Sequence, residues 1–241
     1  MIPLAALALI AQDDLPPVRY PPLPAEAVSA KGFVPRGWTL ETEASGDLDG
    51  DGKPDLALVL HMADPANVVK NEGGLCGETL DTNPRILAVA LARSGGGYRL
   101  VAQDHRLVPR RDNACAEDWL AKDGEGGSGG VTIARGNVVV TLGRFMSAGG
   151  WGMGSTAFTL RWREGAMRLI GFDVHNVQRN SGETSALSIN YFTRKVRIEH
   201  GTIDSDKVTV RWSRLPGSGL PTLDAIGDGL AYDPGGLVGA L

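Results

Sequence analysis

The sequence predicts an all-β fold, an antiparallel meander of hairpins that is propeller-blade-like or sandwich-like, with one strand pair closed by an acidic loop. Three observations carry that expectation. Glycine and proline are abundant, 33 and 14 of 241 residues, which favours many turns over long helices. Short segments with an apolar residue at every second position recur, and no stretch sustains a helical period. Compact glycine turns separate these segments in the way that joins neighbouring strands.

The clearest alternation is in Phe158-Thr159-Leu160-Arg161-Trp162-Arg163, where the apolar side chains share one strand face and the arginines the other. Val196-Arg197-Ile198-Glu199 and Val208-Thr209-Val210-Arg211-Trp212 repeat it. With turns at Ser94–Gly97, Arg135–Asn137 and Glu164–Gly165, the pattern gives hairpins at about 85–103, 131–145, 156–174 and 186–200. Leu56–Met62 is an earlier strand and Val208–Trp212 a later one, and short helices are compatible with Pro65–Lys70 and Glu117–Ala121. The segments Ala63–Pro84 and Asp104–Gly130 are too long for hairpin turns, and loops of that length are usually functional, stapled or disordered.

Four regions follow. Residues 1–11 are almost purely apolar and read as a signal peptide, too short for the roughly 20 apolar residues of a spanning helix. No basic residue precedes the run, and a buried N-terminal strand or helix is the alternative. Residues 12–36 are rich in Pro and Ala without periodicity and read as a linker or extended lead-in; residues 37–214 form the β domain; residues 215–241 lose alternation and read as an irregular tail. The expected location is periplasmic or secreted. The two cysteines, Cys76 and Cys115, fall one in each long loop. In an oxidising compartment they read as an intrachain disulfide, contributing about 3 to 4 kcal/mol in the chain-entropy model; two unpaired thiols are the alternative. With 24 basic against 28 acidic residues, the chain has no broad positive field for nucleic acid or anionic lipid.

One segment carries chemistry. Asp47-Leu48-Asp49-Gly50-Asp51-Gly52-Lys53-Pro54-Asp55 sets carboxylates at positions one, three, five and nine of a short loop. Calcium takes 6 to 8 oxygens at about 2.3 to 2.6 Å, which alternate residues of a tight loop can supply. Gly52 permits the sharp turn at position six, and Lys53 at position seven offers its carbonyl, with the ammonium turned to solvent. Without a cation the four carboxylates repel one another. An EF-hand is excluded, because position twelve is Leu58 and an apolar strand follows in place of a helix. A solvated Asp-Gly turn is the competing reading.

The segment from Gly46 to Leu56 resembles the calcium loop of FG-GAP or VCBS repeats, the blades of integrin-α-type β-propellers. The resemblance implies that Asp47, Asp49, Asp51 and Asp55 hold the ion, and it covers about fifteen residues in one copy, whereas complete propellers of that family carry several. The segment from Trp151 to Asn190 also resembles secreted bacterial proteins that pair one such loop with a β-meander, which names no activity. An all-protein cage leaves no open position for substrate, so the ion is expected to be structural.

Catalytic signatures are thin. His61, His105, His175 and His200 form no HExxH pair, and no GxSxG elbow is present. Asp173 and His175, two apart on one strand face, with Ser147 or Ser155 as nucleophile, are the basis of a hydrolase alternative. Gly149–Ser155 lacks the Lys-Ser/Thr ending of a phosphate loop and reads as a flexible connection whose Trp151 and Met153 either contact a partner or pack inward. The expected function is a calcium-stabilised extracytoplasmic module engaging a protein or glycan, with a hydrolase or an envelope inhibitor of the immunity type as alternatives.

Overall fold

The computed structural model describes residues 15–72, 75–125, 127 and 129–241; the apolar run at 1–11 lies outside them. The fold is all-β and antiparallel, as expected. Its first sheet contains β1 (Glu26–Ala27), β2 (Trp38–Gly46), β3 (Asp55–Met62), β6 (Arg85–Ala92) and β7 (Tyr98–Asp104), in the order β1-β7-β6-β3-β2. Between β3 and β6, β4 (Val68–Lys70) and β5 (Thr79–Asp81) form a separate ribbon. The second sheet is an unbroken seven-stranded meander of β8 (Gly130–Ala134), β9 (Asn137–Arg144), β10 (Gly152–Arg163), β11 (Ala166–Gln178), β12 (Glu183–Asn190), β13 (Lys195–Thr202) and β14 (Ser205–Arg214).

The central strands of the first sheet are buried on both faces, which is why they read as continuous apolar runs, LALVL and ILAVAL, rather than as alternation. Ala57, Val59, Leu87, Val89 and Leu91 face the main core, where they meet Val138, Val140, Phe158, Leu160, Phe172, Leu187 and Ile198 of the meander. Leu56, Leu58, Leu60, Ile86, Ala88 and Ala90 face the other way.

The covering of that second face comes from the described part, 15–36, of the segment read as a linker or extended lead-in. Leu23, Ala30 and Phe33 are buried against the outer face of β3 and β6, and β1 pairs with β7. The Gln103 side chain holds the segment from below, accepting from Leu23 N at 3.1 Å and donating to the Pro21 carbonyl at 2.9 Å. A two-sided sheet cannot leave its second apolar face in water, so nearby chain is recruited despite its lack of periodicity.

The C-terminal segment is irregular, as read, but packed. Leu215, Leu223 and Ile226 are buried in the main core, the last two in α1 (Leu223–Ile226). Tyr232 lies 5.1 Å from the Phe172 ring and shares a 2.8 Å hydrogen bond with the Tyr191 hydroxyl.

The long loops are joined by the Cys76–Cys115 disulfide, with Cα atoms 4.9 Å apart. Pro65–Asn67 forms a 3-10 turn, whereas 117–121 holds no helix. The second loop is fixed further by a buried cation. Arg85, on β6, makes a bidentate pair with Glu41 at 2.6 and 2.7 Å and donates to Asp118 at 2.6 Å. Glu41 is the extra residue of a bulge in β2 between Leu40 and Thr42. Burial opposes charge on Asp118, but Arg85 and the Leu120 N–H outweigh it and hold the carboxyl below the ordinary carboxylate range.

Two expectations follow. Replacing both cysteines by serine lowers stability by about 3 to 4 kcal/mol in urea unfolding; a loss below about 1 kcal/mol would show that the Arg85 contacts already restrain the loop. Because the folded Asp118 value is depressed, its contribution is complete above the unfolded carboxyl value of about 3.9 and disappears as pH falls through the folded value. Asp118→Asn therefore flattens the acid limb of the stability profile, and an unchanged slope contradicts the pairing.

Candidate metal centre

The β2–β3 connection begins after the Gly46–Asp55 pair, at the end of the first sheet that approaches the meander. The approach is tight. A Cβ on Gly46 would lie 2.6 Å from Cγ2 of Ile133 on β8, so a side chain there would push the sheets apart. Gly50 and Gly52, at φ +86° and +81°, adopt the left-handed conformation that the sequence required of position six. Leu48, the apolar residue between the first two aspartates, turns inward and is buried in the main core. That inward turn leaves Asp47 and Asp49 on the solvent side of the loop.

Asp55 is the anchor. Its carboxylate is fully buried, one oxygen accepting from Leu48 N at 2.7 Å and the other from Ala92 N, at the end of β6, at 2.8 Å. Burial raises its pKa, and the two backbone N–H groups oppose that rise. Asp47 accepts from Gly50 N at 2.7 Å and Gly52 N at 2.9 Å, and Asp49 accepts from Asp51 N at 3.1 Å. These bonds use only part of each oxygen's acceptor capacity, leaving lone pairs for a cation.

Three of the four expected carboxylates converge. Ligand oxygens of Asp47, Asp49 and Asp55 lie within 4.8 Å of one another, and this is the group of potential metal ligands found among the described residues. That proximity lets one cation reach all three carboxylates, which are the oxygen donors that hard divalent ions take. Asp51 stands apart. It accepts from Lys53 N at 2.8 Å and forms an ion pair with the Lys53 ammonium, which therefore does not simply extend into solvent. The pair lowers the pKa of Asp51 and raises that of Lys53. The nearest positive charge, two residues along the chain, has captured it.

Of the other singled-out residues, Ser155, Asp173 and His175 line one open hollow of about 290 Å³ on the outward face of the meander, and the rest lie apart. His61 lies 4.0 Å from Glu41, His105 stacks on Tyr20 at 4.1 Å, and His200 is on β13. Asp173 and His175 are exposed on the outward face of β11, with Ser155 opposite His175. Ser147 donates to the Cys115 carbonyl. Trp151 is 62% exposed, and its loop is fastened by Arg179, which donates to the carbonyls of Met146 and Gly150. Sequence reasoning missed the Ala92 N–H and the inward Leu48; only Leu48, apolar amid aspartates, left a local signal.

Compared with known proteins, the chain matches no family model, no curated protein and no solved structure.

Asp55→Asn turns one oxygen acceptor into an amide donor facing a backbone N–H. With a chelator present it should still cost about 1 to 3 kcal/mol in chemical unfolding. A variant as stable as wild type under those conditions contradicts the anchoring role.

Proposed function

We propose that the chain is an exported interaction module whose β2–β3 loop is fixed by a calcium ion bound at Asp47, Asp49 and Asp55, and which engages a protein or glycan without chemistry of its own. The observation that carries this reading is the convergence of those three carboxylates, one of them buried and fixed by a backbone N–H of its own loop and another from the end of β6. Calcium supplies charge neutralisation there. Asp51, released from Lys53, and the Lys53 carbonyl bring the donors to five, and water or a bidentate carboxylate supplies the remainder of the roughly 6 to 8 oxygens such an ion takes. The disulfide suits an oxidising compartment, and among the described residues no helix is long and apolar enough to cross a membrane.

The interaction part of the proposal draws on a cavity of about 620 Å³ on the inward face of the meander, beyond the apolar core. Arg144, Asn176, Ser185 and His200 form one polar row across it, from β9 to β13. Arg144 donates to Asn176 and keeps a buried Nε without a partner, and burial lowers its pKa. Such a row suits the hydroxyls or carboxylate of a polar ligand. The hydrolase alternative has less support: Asp173, His175 and Ser155 line an open hollow of about 290 Å³, where burial raises the pKa of Asp173, but the Asp173 carboxylate bonds to Ser188 rather than to His175.

Thermal melts in chelator and in calcium test the metal. At free calcium about 100 times Kd, binding contributes about 2.7 kcal/mol, or a rise of about 5 to 10 °C for a chain of this size. Asp49→Ala removes most of that rise while barely changing the melt in chelator, because the Asp49 carboxylate is exposed and accepts one hydrogen bond. Identical wild-type melts in the two conditions would overturn the reading.

A further inference from the structure

β14 is an edge of the seven-stranded sheet, and every one of its residues is exposed. One side of its backbone pairs with β13, while the other side has no strand neighbour among the described residues. Edge strands of soluble proteins are usually short, covered or interrupted by charge. This one spans ten residues and carries Val208, Val210 and Trp212, which are 49%, 39% and 61% exposed.

The three apolar residues share one face. Val210 and Trp212 oppose Glu199 and Arg197, on the side of the sheet away from the buried Ile198 and Val196. The β13–β14 ladder is irregular between His200 and Thr202, but Val208 stays on the same side: its Cγ1 lies 3.0 Å from where a Cβ of Gly201 would project. Arg214, two beyond Trp212, continues the row at one end; Asp206, two before Val208, follows it at the other, within the bulged stretch where residues 206–208 of β14 span Gly201 of β13.

The order of residues in this row is self-complementary. Antiparallel pairing of two copies about a twofold axis normal to the sheet keeps each residue on its own face, so the axis must pass through a residue. Centred on Val210, the pairing sets Val210 against Val210, Val208 against Trp212, and Asp206 against Arg214. Apolar residues then meet apolar ones, opposite charges meet, and no like charges are opposed. Centring on Thr209 opposes Lys207 to Arg211 and Asp206 to Trp212; centring on Arg211 brings two guanidinium groups together and sets Val208 against Arg214.

We propose that β14 pairs antiparallel with β14 of a second copy of this chain, centred on Val210, so that the meander continues across both copies. The self-complementary row selects that occupant over a strand of unrelated sequence. This inference does not depend on the metal.

Sedimentation velocity over a concentration series, together with a cysteine scan, tests it on the whole chain. Wild type should dimerise as concentration rises, and Val210→Lys should remain monomeric. Asp206→Arg and Arg214→Asp should each weaken the dimer at least tenfold, and the double exchange should restore it. Both native cysteines are bonded to each other, so Val210→Cys provides a clean reporter. It should form an intermolecular disulfide under mild oxidation, whereas Lys207→Cys, opposed to Ser213, should not. Melting temperatures close to wild type show that these exposed substitutions leave the fold intact. A chain that stays monomeric throughout overturns the proposal and leaves the edge to a strand of another protein. A dimer insensitive to Val210→Lys, or a double exchange no better than the single ones, overturns it by placing the contact elsewhere.

Discussion

A buried carboxylate must be satisfied by hydrogen bonds or a cation, and Asp55 meets that requirement by binding two backbone N–H groups, one in the loop and one at the end of a neighbouring strand. Leu48 N comes from the loop that Asp55 itself closes, and Ala92 N from the far end of β6. The loop thereby acquires a fixed shape before any ion is considered. Its alternation then does the rest, with Leu48 inserted into the main core and Asp47 and Asp49 left facing outward beside the anchor. Because a side chain at Gly46 would collide with Ile133 of the meander, the same point also sets how closely the two sheets meet.

The remainder of the architecture follows from a sheet that is apolar on both faces. One face meets the meander and the other needs a cover, which the proline-rich N-terminal segment provides through Leu23 and Phe33. The C-terminal segment performs the matching task at the main core through Leu215, Leu223, Ile226 and Tyr232. The two long loops are held by covalent and ionic means: the disulfide ties them to each other, and Arg85 ties the second of them to β2 and β6. Breaking one side of such a buried pair leaves a charge uncompensated, which costs more than the intact pair contributes.

The parts of this structure that were legible in the sequence are those governed by local pattern. Strands with one wet face announce themselves by alternation, so β10, β13 and the later part of β14 were readable, as were the glycine turns between them. The acidic loop was readable because its spacing is set within nine residues, and its left-handed Gly52 follows from the same spacing. What was illegible depends on distant partners. Phe33 packs on strands that begin more than twenty residues later, and Glu41, Arg85 and Asp118 come together across separations of 44 and 33 residues. Asp51 fits the ligand pattern, yet its carboxylate lies with Lys53, a competition between a neighbouring cation and an ion that spacing does not rank.

The converging aspartates are proposed to hold calcium. A crystal structure of the chain grown with calcium gives the most direct answer. The ion should be coordinated by Asp47, Asp49 and Asp55 at about 2.3 to 2.6 Å, with Asp51 turned away from Lys53 to join them. Density for calcium elsewhere, or a loop with Asp51 still paired to Lys53 and no ion among the three carboxylates, would contradict it.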